Sequence, residues 1–344
     1  MKDLQSSDLA NFQKLVQHNC DIADARHAGE DTLCIYLLKL KGYFSWYHAE
    51  PIGAPTEKEV LGRWVSEREN YWMEIEDQSY RPLELAQQQF DPYDTRAINA
   101  LLRPRGLVYS AGTGTLGKPI FFLGELEETE EQMDYTLMVS GREHARTLTA
   151  PPAMSRSGEI YVRKDAFRRY LFSMYEEWQW QKQQNAMARV VGHYRFDKDI
   201  QDALDRMVEH ETENLVLHEL GEIIAGNLIG DGWSDMLSRL EHPLHELKAR
   251  AIRDNLADCL STLPACLEFD DEPALDFYYS NMSPLRKQLF PAICEILGSP
   301  GKVRRKKELS KLLVRGQQHW LRCSRTLLGS DGPELDAILD GCAL

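Results

Sequence analysis

The residues with most chemistry to offer lie in one stretch, residues 199–229, DIQDALDRMVEHETENLVLHELGEIIAGNLI. Set on a helix at about 100° per residue, Ile200, Leu204, Met207, Glu211, Glu222 and Ile229 all fall within about 40° of His218. Three ionisable groups, Glu211, His218 and Glu222, therefore interrupt an apolar stripe. Val216, Leu220, Ile223 and Ile224 make the other side apolar too, so the helix is expected inside a bundle. Charged groups in such a place must be paired or must bind a metal, because desolvating a bare charge is costly. Gly221 lies between them. In mid-helix it costs about 1 kcal/mol relative to Ala, and it permits close approach of a neighbouring helix or a ligand.

Two more segments repeat the theme. In LKARAIRDNLADCLSTL, residues 247–263, Asp254 and Asp258 share a face with Leu247 and Ala251, while Ile252, Leu256 and Leu263 line the opposite side. Arg253 could instead neutralise a carboxylate from another helix. In LANFQKLVQHNCDIADARHAG, residues 9–29, Leu9, Val16, Cys20, Asp24 and His27 form one stripe. The Asp24-x-x-His27 spacing sets a carboxylate and an imidazole on adjacent turns, as Glu-x-x-His does in helical bundles that hold two irons. Imidazole with carboxylate suits iron, manganese or zinc better than calcium, and a carboxylate-rich helical pocket points first to iron or manganese. Each pair also has a plain structural reading. Glu211 with His218, and Asp254 with Asp258, could be ion-paired to arginines, and Asp24 with His27 could mark an exposed helix end.

Two enzymatic patterns can be matched to the first helix. His218-Glu219-Leu-Gly-Glu222 resembles the zinc-peptidase pattern His-Glu-x-x-His, with Glu in place of the second His. The resemblance implies His218 and Glu222 on zinc, Glu219 as general base and a third ligand from Asp254 or Asp258. The Glu211-x6-His218 spacing is similar to the first core helix of the haem-oxygenase-like di-iron oxidases and oxygenases. That resemblance implies Glu211, His218 and Glu222 from one helix, Asp254 and Asp258 from the next, and O₂ activated between two irons. Asp24 and His27 would bind or support the metals. The chain departs from that family where its later Asp/Glu-x-x-x-His pair should stand, since Asp254-x-x-x-Asp258 ends in Asp. The leading expectation is a non-haem di-iron or iron/manganese oxidoreductase acting on a small molecule. A zinc hydrolase and a non-catalytic interaction protein with buried ion pairs are the alternatives.

The elements that must position these groups read as α+β, predominantly α. Helices are expected over 8–28, 31–47 and 57–74. A small antiparallel sheet is expected between about 106 and 164, where Gly and Pro punctuate short apolar runs. Helices follow over 164–188, 199–229, 234–262, 274–282, 284–298, 304–328 and 333–340. The sequence thus divides into residues 1–163, helices plus sheet, and 164–344, a helical bundle. Gly112-Thr-Gly-Thr-Leu-Gly117-Lys118 imitates a phosphate-binding loop, but Pro119 follows where that loop needs Ser or Thr and a helix. A hairpin turn is expected there.

Composition narrows the classes. A chain of 344 residues at 43% hydrophobic can bury a sizeable core. A formal net charge of −14 argues against a general nucleic-acid binder. The basic run Lys302, Arg304, Arg305, Lys306, Lys307, Lys311 and Arg315 reads as a solvated helix face or a local anion patch. No stretch approaches the roughly 18–20 apolar residues of a membrane span, and the first residues lack the pattern of a signal peptide, so a cytoplasmic protein is expected. Seven cysteines, an odd number with no Cys-x-x-Cys pair, argue against a disulfide framework or zinc knuckle. A homo-oligomer is compatible with all of this. Finally, CDIADARHAGEDTLCIYLLKLKGYF, HELGE and RDNLADCLSTLP resemble a bacterial family of unknown function over nearly the whole chain. That resemblance implies one intact protein type and carries no assigned activity.

Overall fold

The computed structural model describes residues 6–240, 242–298, 302–330, 338–339 and 341–344. The chain folds as two compact units, Met1–Pro152 with Tyr161–Phe172, and Ala153–Ile160 with Ser173–Leu344. The fold is α+β and predominantly helical.

The first unit opens with helices α1 (Ser6–His27), α2 (Leu33–Tyr47) and α3 (Lys58–Ile75). A short hairpin, β1 (Leu83–Leu85) and β2 (Gln88–Phe90), and helix α4 (Thr95–Leu102) follow; the sequence signal for both is too short to have stood out. Strands β3 (Leu107–Thr113), β4 (Pro119–Glu131) and β5 (Thr136–Arg146) lie in this unit, β6 (Ala153–Arg156) belongs to the second, and β7 (Glu159–Arg163) runs across the division; the strand order of the sheet is β3-β4-β5-β7-β6. Between β3 and β4 the Gly-rich loop is the expected hairpin turn, closed by the Gly114 amide donating to the Lys118 carbonyl at 2.8 Å. Helix α1 is the spine of this unit. Its Phe12, Val16 and Cys20 pack with Tyr109, Phe121 and Leu123 of the sheet, while Ile22 packs with Tyr43, Trp72 and Leu148.

Helix α5 (Lys164–Gln181) leads into the second unit, which contains α6 (Ala186–Tyr194), α7 (Ile200–Ile229), α8 (Trp233–Ser238), α9 (Pro243–Leu260), α10 (Thr262–Glu268), α11 (Glu272–Asn281), α12 (Pro284–Leu289), α13 (Pro291–Gly298) and α14 (Lys302–Leu328). Three segments that read from sequence as single helices are each two. The Asn185 side chain caps a new helix after Gln181. His242 and Pro243 start α9 after α8 has ended. Pro291 opens α13 directly after α12. The physical reason is common to all three: a cap or a proline at N1 satisfies or removes the orphan amides of a first turn, so a helix starts there rather than continuing. His193 and Tyr194, which read from sequence as linker, lie on α6. The helix expected over 333–340 falls largely outside the described residues.

Helix α9 packs against α7, α10, α12 and α14. Its Ile252, Leu256 and Cys259 are fully buried in a core that includes Trp233, Phe290 and Trp320. Two glycines bring its neighbours close. A Cβ on Gly221 of α7 would lie 2.5 Å from the Ala257 carbonyl oxygen, and one on Gly316 of α14 would lie 2.8 Å from Cys259 Sγ. Of the basic run, Arg305 is buried and pairs with Glu272 at 2.6 Å and Asp276 at 3.3 Å, so it belongs to the bundle interior. Lys307, Lys311 and Arg315 are exposed; the side chains of Lys302 and Arg304 lie outside the described part. Among the described residues, no helix is long and apolar enough to cross a membrane.

Candidate metal centre

The near-contact of Gly221 with the backbone of Ala257 sets the geometry of the second unit's polar core. A side chain at position 221 would hold the helices apart. Without one, the faces flanking the contact meet, and these carry His218 and Glu222 on α7 and Asp254 and Asp258 on α9. His218, Glu222 and Asp254 each offer a ligand atom, and those atoms lie within 4.8 Å of one another. All three are half-buried.

Around these three stands a second layer. His218 Nδ1 lies 2.7 Å from Asp258 Oδ1. Asp258 is buried; it also accepts from Thr262 Oγ1 at 3.1 Å and from Arg286 Nη2. Arg286 donates through Nε to Asn255 Oδ1 at 3.0 Å and through Nη2 to Tyr278 Oη at 3.2 Å. Arg253 Nη2 lies 3.2 Å from Glu222 Oε2, as the sequence suggested it could. Glu219 is buried, and the Ser155 side chain of β6 hydrogen-bonds to it.

The electrostatics follow from this crowding. Burial opposes the charge on Asp258, but Arg286 and His218 outweigh it and hold the carboxyl well below its usual range. Burial likewise disfavours an imidazolium at His218, yet Asp258 and Asp254 push its pKa up to about 10. Burial and the neighbouring Glu222 raise Asp254 and Glu219. Burial also works against a charged Glu222, but Arg253 and His218 keep it below its ordinary value. The carboxyls of Glu219, Glu222, Asp254 and Asp258 thus share the Arg253 and Arg286 guanidinium groups and the His218 imidazole, with the charge of Arg250 also acting on Glu222.

The other sequence-selected residues have different surroundings. Glu211 lies two turns from His218 on α7, about 10 Å along the axis, and is fully buried. Its Oε1 accepts from Tyr194 Oη and its Oε2 from Asn214 Nδ2, both at 2.7 Å. Tyr194 Oη in turn lies 2.5 Å from His210 Nδ1, and His210 Nε2 lies 2.8 Å from Asp271 Oδ2. Asp24 and His27 belong to the first unit. Both oxygens of buried Asp24 accept from the Leu148 amide, at 2.9 and 2.8 Å, and burial raises its pKa well above the usual value. His27 Nδ1 lies 2.9 Å from Glu30 Oε1. Neither Asp24 nor His27 joins the cluster of ligand atoms on α7 and α9.

Two family models match the chain, that of the N-terminal domain of a family of unknown function, DUF6866, over residues 11–163, and that of its C-terminal domain over residues 168–335. The chain belongs to this family. Neither model is that of the haem-oxygenase-like oxidases. No curated protein and no solved structure matches the chain. In this DUF6866 chain the cluster of His218, Glu222 and Asp254 lies wholly within the stretch matched by the C-terminal domain.

Sequence reasoning overlooked Arg286, Thr262, Asn255 and Tyr278 at the centre, and Tyr194, His210 and Asp271 beside Glu211. The polar side of Thr262 was legible: it stands four residues after Asp258, one helical turn on. Arg286 had no local signal, because it approaches from a separate short helix.

Proposed function

We propose that this chain is a metal-dependent enzyme that binds one divalent ion through His218, Glu222 and Asp254, and that it hydrolyses a small-molecule substrate with Glu219 as general base. The observation that carries the reading is the convergence of those three ligand atoms within 4.8 Å. The Asp258 contact at His218 Nδ1 supports it. A metal-ligating histidine ordinarily donates its second nitrogen to a carboxylate, which fixes the tautomer and raises ligand basicity. Three protein ligands leave an open position, where a bound ion lowers the pKa of water and polarises a substrate oxygen. Buried Glu219, next to His218 in the chain and raised in pKa by burial, is suited to hold a proton near neutral pH. One imidazole with two carboxylates suits zinc, and iron(II) and manganese also accept such donors.

The single-ion reading is preferred over a di-iron oxidase because, among the described residues, the converging ligand atoms are those of His218, Glu222 and Asp254, and Glu211 and Asp258, which a second iron would need, stand outside that group. Glu211 accepts from Tyr194 and Asn214, and Asp258 from Arg286, Thr262 and His218.

Elemental analysis of protein purified without chelator or affinity metal tests the proposal. One zinc per chain, lost in both His218→Ala and Asp254→Asn, is the expected result. Glu219→Gln should keep the metal and abolish hydrolysis of p-nitrophenyl esters. About two irons per chain would instead restore the oxidase reading. No metal after anaerobic reconstitution would reduce the cluster to an ion-pair network.

A further inference from the structure

The second unit contains a cavity of about 580 Å³ whose lining comes from the end of α5, the start of α6 and the α11–α12 region. It is separate from the residues assigned to the metal. Trp178, Trp180, Met174, Met187, Tyr279 and Lys287 are its chemically informative lining. We propose that this cavity is a binding site for a small aromatic anion, with Lys287 holding the anionic group and the tryptophans and Tyr279 holding the ring.

Charge selection rests on Lys287. Its ammonium lies 4.7 Å from the centroid of the Tyr279 ring. Among the described residues it has no carboxylate partner, and partial burial pulls its pKa below the usual value. A partly desolvated cation lying over a ring face gains most from an anion brought to it by a ligand. Glu177 also lines the cavity, but it is exposed and its charge is solvated. Ring selection rests on the aromatic side chains. Trp180 is 74% exposed, and the Trp178 ring is fixed by its Nε1 donating to the Gln183 carbonyl at 3.0 Å. Indoles presented to a cavity offer large apolar faces at low entropic cost, and aromatic pairs stack with specific geometry. Met174 and Met187 adapt to an irregular outline. The volume falls within the range of ordinary small-molecule sites.

Two dyes test both halves of the proposal. The probe is 1-anilinonaphthalene-8-sulfonate, an aromatic sulfonate, and the control is N-phenyl-1-naphthylamine, the same ring system without the charge. On the native protein the sulfonate is expected to bind saturably at one site, with fluorescence excited through tryptophan. Lys287→Gln should weaken the sulfonate about tenfold or more, the loss of one charge-assisted contact. The same variant should leave the neutral dye within about twofold. Trp180→Ala, at an exposed position and so safe for folding, should weaken both dyes. Unchanged sulfonate affinity in Lys287→Gln, or sulfonate fluorescence that never saturates on the native protein, would overturn the site.

Discussion

Asp258 stands between a histidine and an arginine, and the electrostatics of the centre turn on that position. Arg286 and His218 both contact it and hold it firmly ionised, as Arg253 and His218 do Glu222. Removing the guanidinium would leave a buried charge with half its compensation. Arg286→Met is therefore expected to destabilise the protein by about 3–5 kcal/mol, the usual penalty for breaking a buried pair from one side, as read by urea unfolding. A loss under 1 kcal/mol would mean that water reaches Asp258. Glu211 makes the opposite case. Burial lifts its pKa from an ordinary 4.5 to about 7, so the folded state holds a proton that the unfolded chain has already released. Its contribution is fully present below about pH 4.5 and is lost as pH rises through about 7. Over that window the wild type should lose about 3 kcal/mol relative to Glu211→Gln, which does not titrate. Parallel stability curves for the two proteins across pH 5 to 8 would show that Glu211 is ionised in the fold.

At the scale of elements, the centre depends on how closely α7 and α9 cross. Gly221 was legible in the sequence as a position of close approach, and the carbonyl of Ala257 occupies the space its side chain would need. Gly221→Ala gains about 1 kcal/mol in helix propensity. The new methyl meets backbone, which cannot rotate away, so the helices must separate. A net destabilisation of about 1–3 kcal/mol is expected, together with a fall in metal stoichiometry, since Asp254 would move away from His218 and Glu222. Retained metal at full stoichiometry would show that the ligands tolerate a wider crossing. The stripe Glu211, His218, Glu222 was also visible from periodicity, but a helical wheel gives direction and not depth. It therefore grouped Glu211 with His218, whereas the partner that reaches Glu211 is Tyr194 from α6.

Over the whole molecule, what the sequence made legible was what local rules govern. The long helices α1, α7 and α14 were readable from their periodicity, the sheet from its Gly and Pro punctuation, and the α+β class from their order. The breaks before α6, α9 and α13 were marked by Asn185, His242 with Pro243, and Pro291, but the apolar periodicity runs on through each of them and hid the change of helix. The convergence of Asp254 on His218 and Glu222 was not readable, because it is set by a backbone contact between residues 36 positions apart, Gly221 and Ala257. Asp24 shows the same limit. Its spacing to His27 fits a ligand pair, yet an amide 124 positions away takes both of its oxygens.

The two glycine contacts that clasp α9, Gly221 on one side and Gly316 on the other, bear on when the helix can open. A helix held by backbone and sulfur on opposite faces, with Ile252, Leu256 and Cys259 fully buried, has no cheap local excursion that exposes its amides. Deuterium exchange is therefore expected to be slowest in the second unit across Ala251–Cys259, at rates matching global unfolding. The carboxylates of Asp254 and Asp258 would then ride on the last segment of that unit to loosen, so that slow exchange there would time the life of the centre itself.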